Sequence, residues 1–289
     1  MVEQVMVVIY IGLTGWGDHP DVYEEHSSKQ DKLKDYSGHF PIVELDASFY
    51  AVQPERNMRK WVDETPSAFK FIVKAYQGMT GHQRGDISFD SREEMFQAFR
   101  LSLLPMIESD KLGAVLLQFP PWFDCKKQHV DYIRYCKSKL EGLPLAVEFR
   151  HQSWYAPEFR EKTLDFLRQQ QFIHSVCDEP QAGDGSIPLV PVVTNEQTTV
   201  FRLHGRNTAG WTRKGNENNW REVRYLYEYR EQELKDLVPV LQGLDRDSRH
   251  VYVLFNNNSG GHAAKNAKQM IELLGLDYGG LAPRQLGLF

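Results

Sequence analysis

Apolar and polar positions alternate along this chain in two distinct rhythms. Eight short runs, Val5–Leu13, Pro41–Asp46, Phe69–Lys74, Gly113–Phe119, Leu145–Arg150, Ile173–Asp178, Thr198–Gly205 and His250–Asn256, have the length and the β-branched and aromatic content of buried strands. Between them apolar residues recur at helical spacing. Pro54–Thr65 opens with a proline, where a missing N–H costs nothing. Ser91, Arg92, Glu93 and Glu94 fit a capping box, followed by the apolar face Met95, Phe96, Phe99 and Leu103. Lys126–Leu140, Glu158–Gln171, Trp220–Leu241 and Ala263–Leu274 complete the predicted helices. Strands alternating with helices imply a parallel sheet covered on its outer face. Eight such strands in 289 residues predict one α/β domain over 1–289, a (β/α)8 TIM barrel, with an open doubly wound sheet second. Three long connections, Tyr76–Asp90, Glu179–Gln197 and Arg206–Asn219, exceed ordinary turns and are expected to carry function.

The strands also predict where the polar groups go. Side chains two apart share a face. One parity is apolar and suits packing under helices. The other carries Glu44 and Asp46, Lys70 and Lys74, Gln118, Glu148 and Arg150, His174 and Asp178, Arg202 and His204, and Asn256, one group on each of the last seven strands. In a barrel this second parity points inward and toward the carboxyl ends of the strands, where barrel enzymes keep their active sites. Each residue alone could be structural, since Glu148 with Arg150, or Glu44 with Lys74, would neutralise one another. A ring of them converging on one face favours a pocket. The largest cleft is expected there, with Trp16, Phe49, Tyr50 and Trp154 as walls for a sugar or base ring.

Composition narrows the partners. Lys and Arg number 34 against 39 Asp and Glu, a net charge of −5, which disfavours bulk electrostatic binding to nucleic acid or to an anionic membrane. A local nucleic-acid contact through Arg206, Trp211, Arg213 and Lys214 stays as a minor reading. No apolar run approaches the length of a membrane span. Val5–Leu13 reads as a strand rather than a signal peptide. Three cysteines without a CxxC give no disulfide framework or zinc motif and favour a reducing cytoplasm. The sequence sets no oligomeric state.

The chemistry on offer is that of acids, bases and cations. Glu148, Asp178, His204 and Lys74 are the candidate catalytic residues, for proton transfer near neutral pH. Trp16, Glu44, Tyr50, Gln118, Arg150, Trp154, Arg202 and Asn256 are the candidate substrate-binding residues, the arginines suited to clamping an anion. Glu44, Glu148, Asp178 and His204 have the atoms of metal ligands. No HxH or HExxH is present, and Lys74, Arg150 and Arg202 would compete with a cation, so no metal is expected. The segment Gly12–Gly17 matches neither a P-loop nor GxGxxG, so no organic cofactor is expected. The preferred reading is a hydrolase, lyase or isomerase acting by acid–base chemistry on a small polar or anionic substrate. The alternatives are a metal-dependent phosphoester or sugar-phosphate enzyme and a non-catalytic ligand-binding barrel.

Several strand-end segments also carry a family resemblance. They are Gly12-Leu13-Thr14-Gly15-Trp16, Val43-Glu44-Leu45-Asp46-Ala47-Ser48-Phe49-Tyr50, Gln118-Phe119-Pro120-Pro121, Glu148-Phe149-Arg150 with Ser153-Trp154, Arg202-Leu203-His204-Gly205, and Phe255-Asn256-Asn257 with Gly261, Ala263, Asn266 and Ala267. With the Gln285–Phe289 tail, this ordered set resembles the YecE/YunF-like family, a domain of unknown function with a TIM-barrel fold. The resemblance implies the barrel and names no reaction. Asp46 departs from it, standing where the family pattern usually has Asn.

Overall fold

The computed structural model describes residues 8–23, 31–83, 85, 86, 88–211 and 220–283. Eight parallel strands close into a barrel in sequence order: β1 Val8–Thr14, β2 Ile42–Leu45, β3 Lys70–Lys74, β4 Leu112–Gln118, β5 Leu145–Glu148, β6 Ile173–Asp178, β7 Thr198–Leu203 and β8 His250–Phe255. The open-sheet alternative is thereby set aside. The ring closes between β1 and β8, with Val8 opposite His250 and Leu13 opposite Phe255. The predicted start of the first strand, Val5 to Val7, lies outside the described residues, as does the Gln285–Phe289 tail.

Two apolar layers hold the barrel. Outward-facing residues such as Ile11, Val43, Val73, Leu117, Val147, Phe201 and Val253 pack beneath the helices. Inside, Ile42, Ile72, Ala114, Leu116, Ala146, Ile173, Val200, Tyr252 and Leu254 form a separate buried cluster, with Tyr10 packed against it. Gly12 belongs to this tight interior: a Cβ there would lie 2.0 Å from the Ile42 carbonyl oxygen. Toward the amino-terminal end, Tyr278 donates its hydroxyl to Ile9 O and accepts from Ile11 N, which straps the chain beyond the last helix to β1.

The helices follow the predicted pattern with one exception. Glu55–Asp63, Arg92–Ser102, Lys127–Lys139, Arg160–Gln169 and His262–Leu274 match expectation within a few residues, and Ser91 accepts from Glu94 N as a cap. The single helix expected over Trp220–Leu241 is two helices, Trp220–Arg224 and Glu231–Asp247. The break has a local cause. Arg230 is extended, and Glu233 turns back to accept from its backbone N–H at 3.0 Å, a capping box that starts a new helix. The intervening segment carries Tyr225 to the barrel mouth and Tyr229 into the core.

Candidate active site

Above the apolar interior, β2, β5 and β7 place Glu44, Glu148 and Arg202 across the barrel axis, all at most 1% exposed. Arg202 forks onto Glu44, Nη2 to Oε1 at 2.6 Å and Nε to Oε2 at 2.8 Å. Its Nη1 reaches Glu148 Oε2 at 2.6 Å. Glu148 also takes Gln118 Nε2 at 2.6 Å, Ser175 Oγ at 3.3 Å and an ion pair with Arg150 Nε at 2.7 Å. Arg150 Nη1 then binds Glu179 Oε2 at 2.8 Å, whose other oxygen accepts from Ile187 N at 2.7 Å. Three carboxyls and two guanidiniums thus form one buried chain of ion pairs, hydrogen-bonded except at Arg150 Nε, whose contact with Glu148 is an ion pair alone.

These carboxyls hold their protons differently. Burial pushes Glu44 up to about 7 against the pull of Arg202, with Asp46 adding repulsion. Burial likewise lifts Glu179 to about 7 despite Arg150. Burial acts the same way on Glu148, but Arg202 and Arg150 hold it well below the usual carboxylate range.

His204 lies beside this chain, held from its other side by a polar relay. Asn258 Nδ2 donates to Thr14 Oγ1, Thr14 donates to Asn256 Oδ1, and Asn256 Nδ2 donates to His204 Nδ1 at 2.8 Å. The ring's Nε2 faces Glu148 Oε1 at 3.6 Å and Arg202 Nη1 at 3.5 Å. Burial, then Arg150 and Arg202, keeps the imidazole uncharged. Lys74 stands nearer the mouth, 3.3 Å from Asp46 and over the Phe49 ring at 4.7 Å.

The expected residues divide on structural grounds. Glu44, Gln118, Glu148, Arg150, Arg202, His204 and Asn256 come together, with Lys74 at the edge. Asp178 does not join them. β6 turns Ile173, Ser175 and Cys177 inward, and Glu179 follows in that register. Asp178 faces the outer layer, bound to Arg206 Nη2 at 2.9 Å and to the Tyr229 hydroxyl at 2.6 Å. His174, of the same parity, is held by Tyr155 and by Val192 O. Trp154 is not a pocket wall either. It is 1% exposed, stacked on Phe149 at 4.0 Å, and donates Nε1 to Phe123 O. Trp16 packs edge-on against Trp61 of the Glu55–Asp63 helix. Tyr50 is exposed and forms the outer end of a row of rings, Tyr50, Phe49, His82 and Trp122.

Residues that the sequence reading did not place in the site complete it. Trp211, Tyr225 and Arg224 cover the centre, with His204 about 6 Å from both aromatic rings (6.2 Å to Trp211, 6.1 Å to Tyr225). Cys177 and Glu179 could have been found by following the other parity of the sixth strand. The loop aromatics have no periodicity to reveal them. An open cleft of about 700 Å³ lies away from this rim, among Arg168, Val192, Glu196, Arg246 and Arg249, next to the amino-terminal end of β8. Arg213 and Lys214, part of the minor nucleic-acid reading, lie outside the described residues.

Among the described residues, the donor atoms of Glu148, Cys177 and His204 converge within 4.8 Å of one another. They suit a cation poorly. Glu148 already meets two guanidiniums, and burial raises the Cys177 thiol well above its usual range, keeping it protonated. No helix among the described residues is long and apolar enough to cross a membrane.

Residues 10–286 match the family model described as "Protein of unknown function DUF72". The chain belongs to this DUF72 family. It is 61% identical to the UPF0759 protein YunF of Bacillus subtilis (strain 168) over 282 residues, 98% of this chain and 100% of that protein. It is 25% identical to the UPF0759 protein YecE of Escherichia coli (strain K12) over 194 residues, 66% of each chain. A crystal structure of a DUF72 family protein from Enterococcus faecalis superposes with a TM-score of 0.90 at 39% identity, covering 96% of this chain and all of that one. One from Thermotoga maritima gives 0.78 at 33% identity, covering 93% and 99%. The DUF72 relatives support the barrel and leave the reaction to be argued from the site.

Proposed function

We propose that this DUF72 barrel is an acid–base enzyme, a hydrolase, lyase or isomerase that needs no organic cofactor and acts on a small anionic substrate at the carboxyl end of the strands. One observation supports the reading. Within a single buried chain, Glu148 is held ionised while Glu44 and Glu179 are lifted to about 7. Carboxyls pushed apart in this way are how one site supplies both a proton donor and an acceptor near neutral pH. Glu148 acts by positioning, since its oxygens are taken by Gln118, Arg150, Arg202 and Ser175. Glu44 and Glu179 are the groups whose proton can move. His204, held by Asn256, and Lys74 at the mouth are the neighbouring polar groups.

The test is turnover of a panel of phosphorylated, sulfonated and carboxylated small molecules, followed by mass spectrometry in the presence of EDTA. The expected result is conversion of one chemical class, retained in EDTA and lost in Glu44→Gln or Glu179→Gln proteins that still fold. Conversion abolished by EDTA and restored by a divalent metal would replace this reading with the metal-dependent one. Ligands that bind without conversion would make the barrel a binding module.

A further inference from the structure

Among the described residues, Arg224 is a cation without an anion. It ends the short Trp220–Arg224 helix, and its Nε is buried with no hydrogen-bond partner. Among the described residues no carboxylate lies within ion-pair distance of it. Aromatic rings surround it instead: its guanidinium carbon is 4.5 Å from the Trp211 ring, 4.6 Å from Trp220 and 5.3 Å from Tyr225. The Arg150 guanidinium lies against the same Trp211 ring at 5.2 Å. One indole therefore gathers two guanidiniums. Cation–π contact holds them but answers none of their N–H groups. A guanidinium whose buried Nε is left without a partner is destabilising, so its persistence calls for a partner that arrives later.

The surroundings say what that partner is. Arg224, Arg150, Lys74 and Arg202 all pull the phenol of Tyr225 below its usual range although burial opposes this. Burial, then Lys74, Arg150 and Arg224, keeps the His82 ring neutral, down to about 3. A positive potential thus spans the mouth between the loops after β3, β5 and β7. Arg202 is engaged with Glu44 and Glu148, and Arg150 with Glu148 and Glu179. Among the described residues, Arg224 has no carboxylate partner, and Lys74 pairs with the half-exposed Asp46. A planar carboxylate would answer one guanidinium edge. A tetrahedral oxyanion presents terminal oxygens in three directions, matching cations that arrive from three separate loops.

We infer that Arg224, held on Trp211 beside Arg150, is the anion-binding residue of the site, and that with Lys74 it seats a phosphate-type oxyanion, the charged end of a phosphomonoester or sulfonate substrate. The inference rests on the small-anion reading above and names its class. Tyr225 lies over the same seat and contributes its hydroxyl.

Isothermal titration calorimetry with inorganic phosphate, sulfate and acetate tests it on the full chain. Phosphate and sulfate are expected to bind and acetate to bind at least tenfold more weakly. Arg224→Met, which keeps the stem and removes the charge, is expected to weaken phosphate at least tenfold and to leave the melting temperature unchanged or higher. Arg224→Lys is expected to recover part of the loss. Acetate binding as tightly as phosphate would overturn the phosphate class. Equal phosphate affinity in wild type and Arg224→Met, or no heat with wild type at millimolar phosphate, would overturn the seat itself. The acid–base proposal fails separately: phosphate bound through Arg224 with no substrate converted would sink that reading and leave this one standing. Conversion by a wild type that ignores phosphate would do the reverse.

Discussion

Arg202 and Glu44 are 158 residues apart in sequence, yet they meet across the barrel as a two-pronged ion pair, 2.6 and 2.8 Å, with neither side chain exposed beyond 1%. The pair is anchored on its far side by Glu148, so the network is structural and chemical at once. That dual role sets the first prediction. Glu148→Gln keeps the shape but leaves Arg202 and Arg150 each short of a buried counter-charge. Breaking a buried pair in this way costs about 3–5 kcal/mol. The melting temperature is expected to fall by roughly 6–20 °C at about 2–4 °C per kcal/mol. Calorimetry showing an unchanged or higher melting temperature would mean that Glu148 is not needed to neutralise the arginines.

Asp178 makes a contrasting case. Its partners, Arg206 and Tyr229, belong to the outer layer, and Arg206 is about one-third exposed, its side chain at 34%. Solvent screening reduces the value of such a pair. Asp178→Asn is expected to cost about 1–2 kcal/mol in urea unfolding, chiefly through the buried hydrogen bond from Tyr229, and to leave phosphate affinity within twofold. A loss of binding or turnover in a stably folded variant would return Asp178 to the site.

The contrast shows which features the sequence made legible. On β2, β4, β5, β7 and β8 one parity is plainly apolar, so Glu44, Gln118, Glu148, Arg202, His204 and Asn256 could be placed from alternation alone. On β6 both parities are mixed: His174 and Asp178 on one, Ser175 and Cys177 on the other. Choosing the more strongly polar set selected the wrong one. The inward parity of this strand carries the small Ser175 and Cys177, buried beside Glu148. Trp211, Arg224 and Tyr225 were not legible for a different reason. They sit on a loop and on helices of four and five residues, where no period marks a direction, and the break after Arg224 depends on a capping box inside what reads as one long amphipathic stretch.

Trp154 was expected at the pocket and is instead a keystone of the outer layer, stacked between Phe149 and Phe123 with its indole N–H bound at 2.7 Å. Trp154→Ala is expected to cost about 3–5 kcal/mol through cavity formation. Trp154→Phe keeps most of the stacking and is expected to lose about 1 kcal/mol, the share of one buried hydrogen bond. Chemical denaturation of both variants measures this. A Trp154→Ala protein of normal stability with impaired ligand binding would contradict the assignment.

The last prediction concerns pH. Glu44 faces Arg202, Lys74, Asp46 and Glu148, and burial among them lifts it from 4.5 to about 7. A carboxyl whose folded pKa is raised binds its proton more tightly when folded. Its contribution to stability is therefore complete below the unfolded value and is lost as pH rises through the folded one. For Glu44 the loss runs from about pH 4.5 to 7 and totals about 3 kcal/mol. The wild-type curve alone will not display it. His82, His174 and His204 are held neutral by burial, so each adds stability as pH rises toward 6.5 and offsets the carboxyls over the same range. The difference between wild type and Glu44→Gln isolates the term, because the histidines are common to both. Measured by urea unfolding from pH 5 to 8, the variant is expected to gain on wild type by a few kcal/mol, most of it before pH 7. Phosphate affinity of the wild type should fall over the same interval as Glu44 and Glu179 become charged, and Glu44→Gln should blunt that fall. Parallel stability curves would mean that the Arg202 fork keeps Glu44 ionised throughout, and the movable proton of the proposed chemistry would then have to come from Glu179.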